Sequence, residues 1–148
     1  MFIFNHLCGV FLIIRGRGIS RGRGCGPLLV SPAPISFLSG VDPETGTIVE
    51  TGHPLRGACI AGRVLAFPYG KGSTVGSYVL YALSRNGHAP AAIINTEAEA
   101  IIATGAIIGG IPMIDRPEVP ISSMKGGVVA TVDGDRGELE YAGEIGSC

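Results

Sequence analysis

The chain has 148 residues, of which 46% are hydrophobic and 16% charged, and its net charge is −1. That composition excludes a disordered chain, and the near-neutral balance removes the electrostatic case for binding nucleic acid or an anionic membrane. The length suits one domain with its own core, and 24 glycines with 10 prolines predict many turns and short elements.

Residues 1–14 (MFIFNHLCGVFLII) are apolar but too short to span a bilayer, and they lack the basic start and small-residue cleavage site of a secretory signal. The Arg/Gly run RGRGISRGRGCG follows, with no interleaved aromatic residues to stack on RNA bases. Residues 1–25 are therefore expected to be an N-terminal extension outside the fold and poorly ordered, with the globular domain at 26–148.

Within that domain Leu28 to Val30 predicts a strand, which the Ser31-Pro32-Ala33-Pro34 stretch breaks. Ile35 to Leu38 is short and apolar, residues 39–46 are a loop of turn formers, and Thr47 to Glu50 reads as another strand. His53 and Arg56 form a close His/Arg pair in the globular part, and the plainer reading of His53 is a loop histidine bonded to backbone. Arg63 to Phe67 is a buried strand ended by Pro68, and Tyr69 to Gly72 a glycine-bearing turn. A helix follows with Ser73 or Thr74 as N-cap. Its apolar face is expected on Val75, Tyr78, Val79, Ala82 and Leu83, and Asn86-Gly87 as its C-terminal stop.

Ala91 to Asn95 predicts a strand of the parallel, doubly buried kind. A second helix is expected from Thr96, acidic in its first turn, through Ala103 to Gly105, then a strand over residues 106–110. Gly127 to Val132 and Glu138 to Tyr141 alternate around Asp133-Gly134-Asp135-Arg136-Gly137, a hairpin signal. Together these predict an α/β fold on a mixed sheet or small barrel with flanking helices. Cys8, Cys25, Cys59 and Cys148 are scattered without a Cys-x2-Cys pair, which predicts four reduced thiols rather than a metal site or a disulfide framework.

The chemistry concentrates at Gly70 to Thr74. A helix N-terminus presents unpaired amide donors and a partial positive charge, so carboxylates and phosphates are its natural guests. Lys71 adds a full positive charge, and Ser73 a hydroxyl among those donors. An alkoxide on Ser73 would be stabilised there as in an oxyanion hole, which makes serine usable as a base. Neither nucleotide fingerprint fits: Lys71 is followed by Gly72, not Ser or Thr, and the glycine spacing misses the dinucleotide pattern by one residue.

The segments GVDPETG at 40–46, HPLRG at 53–57, GRVL at 62–65, GKGSTVGS at 70–77 and APAAII at 89–94 resemble the small subunit of aconitase X-type dehydratases. The resemblance runs from about Gly26 to the C-terminus and is strongest to the archaeal branch. It implies the swivelling β/β/α domain, the counterpart of the mobile last domain of aconitase, over 26–148. It implies Ser73 as the catalytic base, with Gly70, Lys71, Gly72 and Thr74 binding substrate. Val75 stands where aconitase has a substrate-binding arginine, so Lys71, Arg56 or another subunit must hold the carboxylate.

The implied activity is a cytoplasmic hydro-lyase that dehydrates (R)-5-phosphomevalonate to trans-anhydromevalonate 5-phosphate in the mevalonate route to isoprenoids. It implies a large aconitase-like partner subunit carrying an iron–sulfur cluster, of the 4Fe-4S kind, with no cofactor or metal on this chain. The alternatives are a small subunit of a cis-3-hydroxyproline dehydratase and a non-catalytic swivelling binding module.

Overall fold

The computed structural model describes the backbone of residues 2–6 and 9–142, and the side chains from 12 to 141. In chain order the elements are β1 (Phe2–His6), β2 (Gly9–Arg15), β3 (Arg17–Ser20), β4 (Arg23–Val30), β5 (Ile35–Ser36), β6 (Val64–Phe67) and β7 (Gly70–Lys71). They continue as α1 (Gly76–Arg85), β8 (Ala92–Asn95), α2 (Ala100–Gly109), β9 (Met113–Asp115), a 3-10 turn at Ile121–Ser123, β10 (Val129–Asp133) and β11 (Glu138–Ala142). Nine strands form one mixed sheet in the order β1-β2-β11-β10-β4-β6-β8-β9-β3, and β5 pairs with β7 in a small second sheet.

The centre of the sheet is parallel, with β4, β6, β8 and β9 side by side. Its strands are short apolar runs because both faces are covered, and side chains alternate between two cores. Leu65, Phe67 and Ile93 point to the α1–α2 side with Leu80, Leu83 and Ile102. Val64, Ala66 and Ile94 point the other way, to Leu28, Ile114, Val132 and Leu139. The sheet also curls. Only Gly16 separates β2, which pairs with β11, from β3, which pairs with β9. The Gly16 amide donates to Gly137 O at 2.7 Å, and the Gly134 amide to Gly22 O at 2.8 Å, tying β3 to the β10–β11 hairpin. The α/β fold with a mixed, barrel-like sheet and flanking helices is as the sequence predicts. No described helix is long and apolar enough to cross a membrane.

Four expectations are corrected. The Arg/Gly run is not outside the fold: β3 and β4 lie within it, Ile14 is 1% exposed, and β4 crosses the boundary placed at 25/26. Arg15, Arg17, Arg21 and Arg23 stay exposed, while the intervening glycines allow close backbone packing; a Cβ at Gly16 would come within 2.6 Å of Asp115 O. The strand expected over 106–110 is instead the end of α2. Glu99 caps that helix, its carboxylate accepting from the amides of Ile101 and Ile102 at 2.8 Å each, and Gly110 closes it at φ 66°. Thr47 to Glu50 forms only single bridges, Val41 to Ile48 and Thr47 to Cys59. The four reduced thiols expected are not found: Cys25 is disulfide-bonded, while Cys59 is a free, exposed thiol.

Helix α1 is present but turned relative to expectation. Its buried residues are Gly76, Ser77, Leu80 and Leu83, while Val75 and Tyr78 are 46% and 67% exposed. The small residues decide this. At Gly105 of α2 a Cβ would meet Leu80 and Ser77, so the two helices approach closely along Ser77 and Leu80, and Gly76 faces Ile101. The two tyrosines of α1, Tyr78 and Tyr81, are turned outward.

Candidate active-site loop

Pro68 removes a ladder donor at the end of β6, and two residues later the chain re-pairs as β7 beside β5, with Ile35 opposite Gly70 and Ser36 opposite Lys71. Gly72 then turns at φ 91°, a conformation that favours glycine, and a Cβ there would lie 2.7 Å from Ser36 Oγ. The turn sends the chain into α1 through three tight hydrogen bonds: Gly76 N–H to Ser73 O, Ser77 N–H to Thr74 O and Tyr78 N–H to Val75 O. The N-cap expected at Ser73 or Thr74 is instead Val75, and Ser73 stands in the turn ahead of the regular helix. Its Oγ accepts from the Val75 amide at 3.2 Å, while Val75 itself, at the formal cap position, makes no side-chain cap bond.

The five residues singled out in this loop are differently placed. Ser73 and Thr74 are exposed. Lys71 and Gly72 line a cavity of about 370 Å³ with Ser36, Leu38, Ser39, Gly40 and Glu50. Gly70 is buried, and a side chain there would strike Ile102 and Glu99, so its want of a side chain serves packing against α2. A Ser73 oxyanion would accept the Val75 amide as a charge-assisted bond and sit at the positive end of α1.

Lys71 is not a bare cation. Its Nζ lies 3.0 Å from Glu50 Oε2, and Glu50 Oε1 accepts from the Ser36 amide at 3.3 Å. Burial works to raise the Glu50 pKa, but the hydrogen bonds from Lys71 and Ser36 and the charge of Lys71 outweigh it. The carboxyl is held below its ordinary range. Sequence reasoning missed Glu50, reading it as the end of a strand. No local signal marks it, because it reaches Lys71 from a loop twenty-one positions earlier in the chain.

His53 takes the structural role. It is 6% exposed, its Nδ1 accepts from the Leu55 amide at 3.0 Å, and its Nε2 lies 3.1 Å from Pro34 O, which fixes the ring proton on Nε2. Arg56 is exposed on the same loop. The described residues offer no group of three or more His, Cys, Asp or Glu side chains able to hold a metal. A second cavity, of about 400 Å³, lies past the ends of β4, β6 and β8 on the opposite face of the sheet. Its lining residues, Val30, Ser31, Pro68, Thr96 and Ile121 among them, carry no titratable group.

Over most of its length the chain is similar to known proteins. Residues 13–141 match the family model of the aconitase X swivel domain. The chain is 59% identical over 130 residues to the phosphomevalonate dehydratase small subunit of Methanocella arvoryzae, covering 87% of this chain and 98% of that protein. It is 54% identical over 127 residues to the same subunit of Thermococcus gammatolerans, covering 86% and 95%. Among solved structures, the holo-form of Thermococcus kodakaraensis aconitase X superposes with a TM-score of 0.85 at 52% identity, over 89% of this chain and 99% of that one.

Proposed function

The chain belongs to the aconitase X swivel-domain family, and we propose that it is the small subunit of a hydro-lyase that dehydrates (R)-5-phosphomevalonate to trans-anhydromevalonate 5-phosphate. Relatives that span nearly their whole length with this chain bear the name phosphomevalonate dehydratase small subunit, and that naming implies a larger partner. The family and those relatives favour this reading over a hydroxyproline dehydratase or a non-catalytic module. The enzyme works in the cytoplasm, on a small anionic substrate, without nucleic acid or membrane.

In this reading Ser73 is the general base. As an alkoxide it takes the proton from the carbon next to the substrate carboxylate. The electron pair of that C–H bond forms the new double bond as the hydroxyl leaves the adjacent carbon. The observation that carries the assignment is the exposed Ser73 Oγ at the mouth of α1, already receiving the Val75 amide at 3.2 Å. That bond and the helix dipole favour the charged form over the neutral one, which is the condition for a serine to act as a base. Lys71, Gly72 and Thr74 bind the anionic substrate, and Gly70 keeps the loop seated on α2.

The larger subunit closes over this loop, where Tyr69, Val75 and Tyr78, each within five residues of Ser73, are 46 to 67% exposed, and Leu38 lines the cavity beside Lys71. The described residues do not fit an iron–sulfur cluster. In this reading a 4Fe-4S group is carried by the larger subunit, and this chain's tasks are to bind, orient and take the proton.

The test is Ser73→Ala in the complex with the larger subunit. Removal of a general base is expected to lower turnover by about 10²–10⁴-fold, with co-elution of the subunits unchanged. Near-normal turnover would overturn the assignment.

A further inference from the structure

We propose that Glu50 is a positioning residue for substrate binding: it holds the Lys71 ammonium against the cavity beside Gly72, so that the remaining N–H donors of Lys71 face an anionic group of the substrate. The inference rests on the reading of Lys71 as a substrate contact and adds the device that places it.

Glu50 is not a loose surface acid. Its amide donates to Gly40 O at 3.2 Å, and its carbonyl accepts from the His53 amide at 3.2 Å. His53 is in turn pinned to Pro34 and Leu55. The carboxylate thus leaves a fixed backbone and bridges both strands of the small sheet, taking the Ser36 amide of β5 with one oxygen and Lys71 of β7 with the other. Its side chain is 22% exposed against 47% for Lys71, so the acid is the more rigid partner. At Gly40 a Cβ would collide with Ser36 O and approach Glu50 Oε1 to 3.2 Å, and at Gly72 it would press on Ser36 Oγ. Two glycines thus leave room for the carboxylate and for the cavity it borders.

A lysine left alone holds its charge on a four-carbon stem and loses rotamer freedom on binding a ligand. The ion pair fixes Lys71 beforehand and occupies one of three ammonium donors, leaving two for the ligand. Against this stands the charge of Glu50 itself, which repels an anion. The two effects have opposite signs, so a single substitution separates them. Glu50→Gln keeps the shape and the Ser36 contact and removes the charge. If positioning dominates, the hold on Lys71 weakens and substrate binds less well. If repulsion dominates, binding improves.

The experiment is a steady-state double-mutant cycle with Glu50→Gln, Lys71→Met and the double variant, each assembled with the larger subunit and checked for unchanged melting and co-elution. Glu50→Gln is expected to raise KM by roughly three- to tenfold, the scale of one ordinary hydrogen bond, with a smaller effect on kcat. In the Lys71→Met background it should add nothing, because it acts through Lys71. A lower or unchanged KM for Glu50→Gln overturns the proposal. So does an equal rise in the Lys71→Met background, which would mark a merely structural role. An unchanged KM for Lys71→Met removes Lys71 as a substrate contact and the proposal with it, while the role of Ser73 stands on its own test. Should Glu50→Gln not assemble, Glu50→Asp is read in the same cycle, with the same outcomes deciding.

Discussion

Asp115 offers the sharpest test of how the fold is held. It ends β9 with its side chain fully buried and accepts three hydrogen bonds: Arg17 Nε at 2.9 Å, Arg17 Nη2 at 2.8 Å and the Ala98 amide at 2.8 Å. It thereby joins β3, at the edge of the sheet, to the segment that enters α2. Asp115→Asn keeps the shape but replaces one acceptor oxygen with a donor, so either Ala98 or Arg17 faces an N–H instead of an oxygen. Arg17 is 48% exposed and turns to water at little cost. The amide oxygen therefore stays on the Ala98 amide, and the loss is the charge assistance of that buried bond, about 1 kcal/mol. For a chain of this size that corresponds to a fall in Tm of roughly 2–4 °C.

The pH dependence is the stricter part of the test. Burial acts to raise the Asp115 pKa, but the Arg17 and Ala98 hydrogen bonds and the Arg17 charge overcome it and depress the pKa below the usual value. A depressed carboxyl stabilises the fold above its unfolded pKa of about 3.9 and loses that contribution as pH falls through the lower folded value. The Tm gap between the native chain and Asp115→Asn should thus be full at pH 7 and narrow below about pH 4. Melting curves followed by circular dichroism from pH 7 to pH 3 read it directly. A gap that is absent at pH 7, or as wide at pH 3 as at pH 7, refutes the reasoning.

Two further substitutions probe the packing. Gly105→Ala would ordinarily help a helix, yet its Cβ would come within 2.6 Å of Leu80 Cδ1, 2.9 Å of Leu80 Cβ and 3.2 Å of Ser77 Cα. The overpacking cost of about 1–3 kcal/mol exceeds the propensity gain of about 1 kcal/mol, so Tm should fall, and a rise in Tm counts against the close α1–α2 contact. Tyr141 has a buried hydroxyl that finds no hydrogen-bond partner among the described residues, and burial pushes its pKa up to about 12. Its raised pKa means that stability present below the unfolded value of about 10 is lost as pH climbs towards 12. Tyr141→Phe should be neutral or stabilising by up to about 1 kcal/mol and should lose that alkaline limb in a urea-denaturation series; a clear destabilisation at pH 7 contradicts it.

The parallel centre of the fold was legible because its strands are short, apolar and punctuated. Pro68 stops β6, Gly87 at φ 77° closes α1, and the Asp133 to Gly137 turn joins β10 to β11. The Arg/Gly run was not legible, although its pattern has the period of a strand. Arg15, Arg17, Arg21 and Arg23 alternate outward, but the inward positions hold glycine where an apolar residue would normally reveal the core. At Gly24 and Gly26 the backbones of Ala91 and Gly62 fill the space a side chain would take. Hydrophobic periodicity cannot report a strand packed through its backbone. The end of α2 was misplaced for the complementary reason: with Ile107 and Ile108 57% and 44% exposed, this nearly all-apolar helix has no polar face to give a helical period.

The loop at 70–74 could be located from sequence because every cue lies within a few residues: a strand, a proline stop, two glycines and a serine ahead of the helix. What could not be read was the state of its charge. In sequence Lys71 is a free cation beside a helix N-terminus; in the fold it is half of a pair with Glu50, and the net charge of the cavity wall is near zero. On the reading proposed above, an anion at this site would be bound by direction more than by net attraction: by ammonium donors held in place, by the α1 dipole and by the Gly72 turn. Such a site gains little from long-range steering and depends on contacts that close only when the substrate is seated. Affinity for an anion should therefore change less with ionic strength than an unpaired Lys71 would require. A steep salt dependence of KM, surviving Lys71→Met, would place the dominant charge on the larger subunit instead.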